Sequence, residues 1–216
     1  MIYLYTITEA CAPIPPCDGL QDAPLRRARC NEVAGIYSEH EQLDPRPNPD
    51  SLWRHEHVIE AAMSEGAALP VRFGTTFADE DALCVELQRH GRRLYAQLER
   101  LRGCVELAVR VGFREPDNEA VSSGRDYLET RLAARRREQQ IVRGTLAPLA
   151  ELAVHTRSEE GRSSGEVVCA SYLVPGDGVE YFAQQVEVVA ARNPELWLSC
   201  TGPWPPYSFV ELEAAA

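Results

Sequence analysis

Segments in which apolar and polar residues alternate predict the strands of this chain. The clearest runs from Cys104 to Phe113, where every second side chain from Val105 onward is apolar and Glu106 and Arg110 fall between them. A period of two places the apolar side chains on one face of a half-buried strand. By alternation or by a short apolar run, we predict strands near residues 2–7, 25–29, 33–38, 69–73, 104–113, 152–156, 167–174 and 196–200.

Apolar residues at helical spacing predict helices between these strands. The predicted ranges are about 51–64, 77–101, some two dozen residues from near 124–126, and 178–192. By residue type, the expected N-caps are Asp50 or Ser51, Thr76 and Asp177. The first helix should face the core with Leu52, His55, Ile59 and Ala62, and the second with Leu83, Leu87, Leu94, Leu98 and Leu101.

The order of these elements predicts an α+β fold in two α/β domains. From Cys104 onward the order is strand, helix, strand, strand, helix, strand, which is the ferredoxin-like βαββαβ arrangement. Its core would lie on one face of a four-stranded antiparallel sheet covered by two helices. We expect an N-terminal domain at residues 1–102 and a C-terminal domain, including its Pro-rich and aromatic tail, at 103–216.

Strand, turn and helix-start signals meet between Leu69 and Phe77. Leu69, Val71 and Phe73 alternate, and Gly74 permits a turn that a side chain would disfavour. Arg72 stands alone among apolar neighbours, on the opposite face from them. Two interpretations stay open: Arg72 pairs with a nearby carboxylate or with carbonyl groups at a helix end, or it presents its guanidinium to a partner.

The run from Gly202 to Phe209 carries two large aromatic side chains, Trp204 and Tyr207, in a segment that three prolines make stiff. Two interpretations are again open. The segment folds back and seals the core between the domains, or it holds a fixed aromatic surface for a partner.

Composition narrows the classes of function. The chain has 33 acidic and 22 basic residues, a net charge of -11, and every base is arginine. Such acidity disfavours binding to nucleic-acid phosphates or to an anionic membrane. We see no signal peptide and no apolar run of membrane-spanning length. Seven scattered cysteines without CxxC spacing indicate reduced thiols, so we expect a soluble cytoplasmic protein.

Candidate chemistry is sparse. His55 and His57 lie two apart on a predicted helix and therefore point in different directions, so a shared metal ion is not expected. We interpret His55 instead as a hydrogen-bonded histidine of the core. The sequence contains no GxGxxG, P-loop or GxSxG motif, and we predict no catalytic residues, cofactor or metal.

Three ordered motifs carry a resemblance to a known family. The stretch from Leu69 to Thr75 resembles the LPxRFGT signature of the gas vesicle protein F/L family. The segment Arg54–Glu60 resembles the His-Glu-x-Val helix that precedes this signature, and Thr201–Val210 resembles the closing GPWPPYSF motif. The spacing of the motifs extends the resemblance from near residue 1 to about residue 210.

The resemblance implies two α/β domains, the second ferredoxin-like, and a non-enzymatic accessory protein of gas vesicle assembly. It implies binding to the small hydrophobic main shell protein, as chaperone, nucleator or minor structural component, and contacts with other gas vesicle accessory proteins. The expected location is the cytoplasm and the gas vesicle. Motif position and side-chain type single out Arg72, Phe73, Trp204 and Tyr207 as partner-binding residues.

Two alternatives from other classes remain. A ferredoxin-like scaffold hosts many unrelated functions, so a small-ligand sensor or an enzyme is one. A module that binds RNA through its sheet is the other, although the strands near 104–112 and 152–156 lack the aromatic and basic pattern of such surfaces.

Overall fold

The computed structural model describes residues 1–43, 46–114, 136, 138, 140–161 and 166–211. The chain divides into two compact units. The first comprises Met1–Cys104 together with Pro205–Ala216, of which residues 205–211 are described, and the second comprises Val105–Trp204.

Both units contain strands and helices. The strands are β1 (Ile2–Glu9), β2 (Arg26–Cys30), β3 (Val33–Glu39), β4 (Ala68–Pro70), β5 (Thr76–Phe77), β6 (Cys104–Phe113), β7 (His155–Glu160), β8 (Val168–Pro175) and β9 (Leu196–Trp204). The helices are α1 (Pro49–Glu65), α2 (Glu80–Leu101), α3 (described over 140–150) and α4 (Val179–Arg192). Short 3-10 turns span Leu20–Asp22, Gly176–Gly178 and Tyr207–Phe209.

Strand β1 is the centre of the first unit. Its sheet has the order β2-β3-β1-β4, and β5 also pairs with β1. All of the pairs that β1 makes are antiparallel. Seven of its eight residues are buried, as expected of a strand that is covered on both faces.

Helices α1 and α2 cover opposite faces of this sheet. Tyr3 and Tyr5 share a buried cluster with Val58 and Ile59 of α1. Leu4 lies between the two tyrosines and therefore points to the other face. There, a side chain added at Gly35 would meet Leu4 at 3.0 Å and Leu83 of α2 at 3.1 Å. The first unit is thus a three-layer α/β/α structure.

The second unit confirms the predicted ferredoxin-like arrangement. Its sheet has the order β7-β8-β6-β9, so the first and third strands of the unit lie in the middle. Helices α3 and α4 share one core with β6, β8 and the start of β9. Fully buried members of that core include Val109, Val111, Val142, Leu149 and Phe182. The helix expected to begin near residue 124 has its first part outside the described residues.

The segment from Pro205 differs from its expected place in a C-terminal domain, because it groups with the first unit. Strand β9 ends at Trp204, where Pro205 and Pro206 have no N–H group to continue a ladder. Phe209 is then buried, at 2% exposure. Its carbonyl accepts a hydrogen bond of 2.8 Å from Arg100 of α2.

Several predicted helix starts were wrong by a few residues. Asn48, not Asp50 or Ser51, caps α1, and Ser51 completes a capping box with it. Asp79, not Thr76, caps α2. Thr76 instead belongs to β5 and pairs with Tyr3. Helix α4 has no side-chain cap, since the 3-10 turn Gly176–Gly178 precedes it and takes up Asp177.

Some predicted faces and strand ends also differ. Leu52 is 41% exposed, and Val58 takes the core position expected of it. The predicted strand at 69–73 ends at Pro70, because the chain turns at 72–75. The predicted strand at 152–156 lies at His155–Glu160, because Leu152 N–H bonds back to Leu149 and ends α3 in a turn.

Candidate partner-binding surface

The turn at residues 72–75 presents Arg72 to solvent. Thr75 donates two hydrogen bonds to the Arg72 carbonyl, one from its backbone N–H at 3.3 Å and one from its hydroxyl at 2.8 Å. Gly74 has a φ of +88°, which favours glycine. The Arg72 side chain is exposed and enters no ion pair with another described residue. The Arg72 guanidinium therefore faces solvent, and its contact with a partner stays a prediction.

Phe73 is half-buried and anchors the turn to the core of the first unit. Its ring packs edge-on against Tyr3, with centroids 5.8 Å apart, and against His55, with centroids 5.5 Å apart. The Tyr3 hydroxyl accepts a hydrogen bond of 3.0 Å from Gly74 N–H. The Phe73 side chain and the Gly74 backbone therefore both attach the turn to the core of the first unit.

His55 is the buried histidine that the sequence indicated. Its Nε2 lies 2.9 Å from the carbonyl oxygen of Val71, which can only accept, so Nε2 carries the proton. Nδ1 then accepts from the Tyr3 hydroxyl at 3.0 Å. Burial lowers the pKa of His55 to about 4, although the bond to Val71 opposes this shift. A neutral imidazole thus joins α1, β1 and Val71, the residue before the turn.

Tyr207 reaches α1 from the C-terminal segment. It packs against the same buried cluster as Phe73, and its hydroxyl donates to Glu56 Oε1 at 2.8 Å. Burial, followed by the negative charge of Glu56, raises the pKa of Tyr207. Burial also raises the pKa of Glu56, while the hydrogen bond from Tyr207 opposes that shift. The pair is thus a phenol that donates to a half-buried carboxylate.

Trp204 belongs to the second unit. It is the last residue of β9, pairs with Glu106 of β6 and is 49% exposed. Arg72, Phe73 and Tyr207 belong to the first unit, and Phe73 and Tyr207 pack on one cluster there.

Sequence reasoning missed the outward side of α1. Trp53 is 63% exposed, and its ring stacks on that of His57, with centroids 5.0 Å apart and planes within 6°. The signal was available: once His55, Val58 and Ile59 face the core, positions 53 and 57 face away from it.

His55 and His57 therefore point in different directions, as predicted. In the part of the chain that the structure describes, no group of three or more His, Cys, Asp and Glu side chains could hold a metal ion. None of the helices in the described residues has the length and hydrophobicity needed to cross a membrane.

Comparison with known sequences gives a family match along almost the whole chain. Residues 1–211 match the family described as gas vesicle synthesis protein GvpL/GvpF. The chain is 32% identical over 220 residues to gas vesicle protein L of Streptomyces sp., covering 90% of this chain and 77% of that protein. It is 28% identical to gas vesicle protein F of Streptomyces sp., covering 97% and 99% of the two chains.

Solved structures agree on the fold. The crystal structure of gas vesicle protein GvpF from Anabaena sp. matches with a TM-score of 0.82 at 22% identity, over 98% of this chain and 96% of that one. GvpF from Microcystis aeruginosa matches with a TM-score of 0.80 at 20% identity, over 98% and 99%.

Proposed function

This chain belongs to the gas vesicle synthesis protein GvpL/GvpF family, and we propose that it is a non-enzymatic accessory protein that binds the main gas vesicle shell protein during assembly. The observation that carries the proposal is the family match over residues 1–211, which includes both units and the C-terminal segment. A shell subunit with a water-avoiding face aggregates unless a partner covers it. Such a partner acts as a chaperone, as a nucleator or as a minor component of the shell.

Arg72, Phe73, Trp204 and Tyr207 are the proposed contact residues. The exposure of Arg72 and Trp204 supports their role as contact residues, because both side chains are accessible to a partner. Phe73 and Tyr207 are half-buried and support the fold of the first unit as well. Variants of the exposed pair therefore separate binding from folding more cleanly than variants of the other two.

Co-expression with the main shell protein of the same source tests the proposal. The shell protein alone should be found in the pellet after centrifugation, and with this chain it should be recovered in a soluble complex. If the shell protein stays in the pellet and no complex forms, shell-protein binding is contradicted. The partners to test next would then be the other gas vesicle accessory proteins.

Matched variants then test the contact residues. Arg72→Ala should lower the recovery of soluble shell protein while thermal unfolding stays near that of the wild type, since surface substitutions cost within about 0.5 kcal/mol. Trp204→Ala should also lower the recovery, and because the side chain is only 49% exposed, it should lower stability as well. Val85→Ala, at a 65% exposed position of α2, is the control. Tyr207→Phe should lower stability by about 1 kcal/mol, because Glu56 loses a hydrogen-bond donor. Equal losses of stability and binding in Arg72→Ala would make Arg72 a fold residue instead.

A further inference from the structure

The outward side of α1 carries an ordered stripe of four exposed side chains: Asp50, Trp53, His57 and Glu60. Their spacing, three, four and three residues, follows the helical period, so all four lie along one face. We call this set the α1 stripe. It is separate from the inner face, where His55, Val58 and Ile59 meet the sheet.

The middle of the α1 stripe is a flat aromatic surface. Trp53 and His57 are stacked with their planes within 6°, which holds both rings in one orientation. Trp53 is nevertheless 63% exposed. An indole that is ordered by a neighbour and still open to solvent offers its π face to a ligand at low entropic cost.

A carboxylate lies one helical turn away at each end of this aromatic surface. Asp50 precedes Trp53 by three residues, and Glu60 follows His57 by three. Neither is in an ion pair with any described cation. The one arginine of α1, Arg54, is already paired with Asp22 at 2.7 Å. The α1 stripe is thus negative at both ends.

We propose that the α1 stripe binds an arginine-bearing segment of a protein partner. A guanidinium stacks on an indole through cation–π attraction and pairs with a carboxylate through two parallel hydrogen bonds. Lysine supplies only a point charge and lacks the planar fork. The inference rests on the proposed function in one respect, namely that the chain works by binding a protein.

The dimensions of α1 define the partner further. Asp50 and Glu60 are ten residues apart, which is about 15 Å along a helix axis. Two arginines ten residues apart on a partner helix have the same separation. A helix that lies along α1 can therefore place one guanidinium at each carboxylate and its intervening apolar side chains against Trp53.

A synthetic helical peptide with two arginines ten residues apart is the probe. Its affinity for the full chain is measured by fluorescence anisotropy at low and at physiological salt. A second peptide carries citrulline, which keeps the shape and loses the charge, a third carries lysine, and a fourth carries leucine at the two positions. We expect the arginine peptide to bind. The citrulline peptide should bind at least about tenfold more weakly, and the lysine peptide should have an affinity between the two.

Variants locate the binding. Trp53→Ala and the double variant Asp50→Asn, Glu60→Gln should each weaken the arginine peptide by about tenfold. Their controls lie on α4, which also carries an exposed aromatic and exposed acids: Tyr181→Ala, and Glu180→Gln with Glu187→Gln. These should bind as the wild type does, and unchanged thermal unfolding should accompany every variant.

Four results would overturn the inference: no binding of the arginine peptide, equal affinity for the arginine and citrulline peptides, tighter binding of the leucine peptide, or wild-type affinity in both α1 variants. The leucine result would make the stripe an apolar docking surface instead. These measurements do not use the shell protein. If the chain keeps the shell protein soluble but does not bind the arginine peptide, the proposed function stands and the proposed binding of arginine by the α1 stripe is refuted.

Discussion

At the scale of single residues, His55 shows how much a sequence reveals of a buried polar group. Its place on the inner face of a helix predicted a hydrogen-bonded core histidine, and the structure confirms this. Its partners were not predictable, because Tyr3 is 52 residues away and Val71 is 16 residues away in the chain. The same holds for Tyr207 and Glu56, which are 151 residues apart.

The depressed pKa of His55 predicts a loss of stability in acid. The folded chain holds this pKa at about 4, below the value of 6.5 in an unfolded chain, so between these values the unfolded chain binds more protons. The free energy of unfolding should therefore fall as the pH drops from 6.5, approaching a loss of about 3 kcal/mol near pH 4. Urea unfolding of wild type and His55→Gln across this range isolates the contribution.

The exposed His57 supplies the control. His55→Gln should be less stable than His57→Gln at pH 7.5, and it should lose less free energy of unfolding on acidification. The same slope in His55→Gln and in the wild type would show that His55 does not carry the effect.

At the scale of elements, periodicity predicted which faces are buried better than residue type predicted where helices begin. All five leucines expected on the inner face of α2 are buried. The start of α1 was predicted two or three residues late, because Asp50 and Ser51 are also good capping residues by type. Only the geometry shows that Asn48 Oδ1 accepts from Ser51 N–H at 2.9 Å.

Loss of the capping box of α1 should lower the free energy of unfolding by a measurable amount. Asn48→Ala should lower the free energy of unfolding by about 1 kcal/mol, because it leaves an N–H group of the first turn without its acceptor. Ser64→Ala, at an exposed serine in the last turn of α1, should change stability little. Urea denaturation compares the two; an equal effect would mean that the box does not stabilise the helix.

At the scale of the whole molecule, the order of elements predicted the α+β class and the ferredoxin-like sheet of the second unit. Strand order follows from connectivity there, since a βαββαβ chain pairs its first and third strands in the middle. The return of residues 205–211 to the first unit could not be predicted in this way. It depends on the site for Phe209 and on partners in α1 and α2 that no local pattern reveals.

Removal of the Phe209 ring should destabilise the first unit selectively. Phe209→Ala removes a ring that is 2% exposed, and the cost should be about 3 kcal/mol. Hydrogen exchange should become faster in α1 and α2 and stay nearly unchanged in β6 and β8, which belong to the other unit. Val210→Ala, at a half-buried neighbour, should have a smaller effect. Uniformly faster exchange in both units would contradict the assignment of this segment to the first unit.

The division of the first unit has a consequence for synthesis. Residues 1–104 leave the ribosome first. The C-terminal segment from Pro205, which completes the first unit, emerges only after the intervening hundred residues of the second unit. At roughly 5–20 residues per second, this delay is on the order of 5–20 s. During that interval the first unit lacks Phe209, which is 2% exposed in the folded chain. Chaperones and proteases can therefore distinguish a nascent chain, or one that stopped early, by a first unit that still lacks its C-terminal segment.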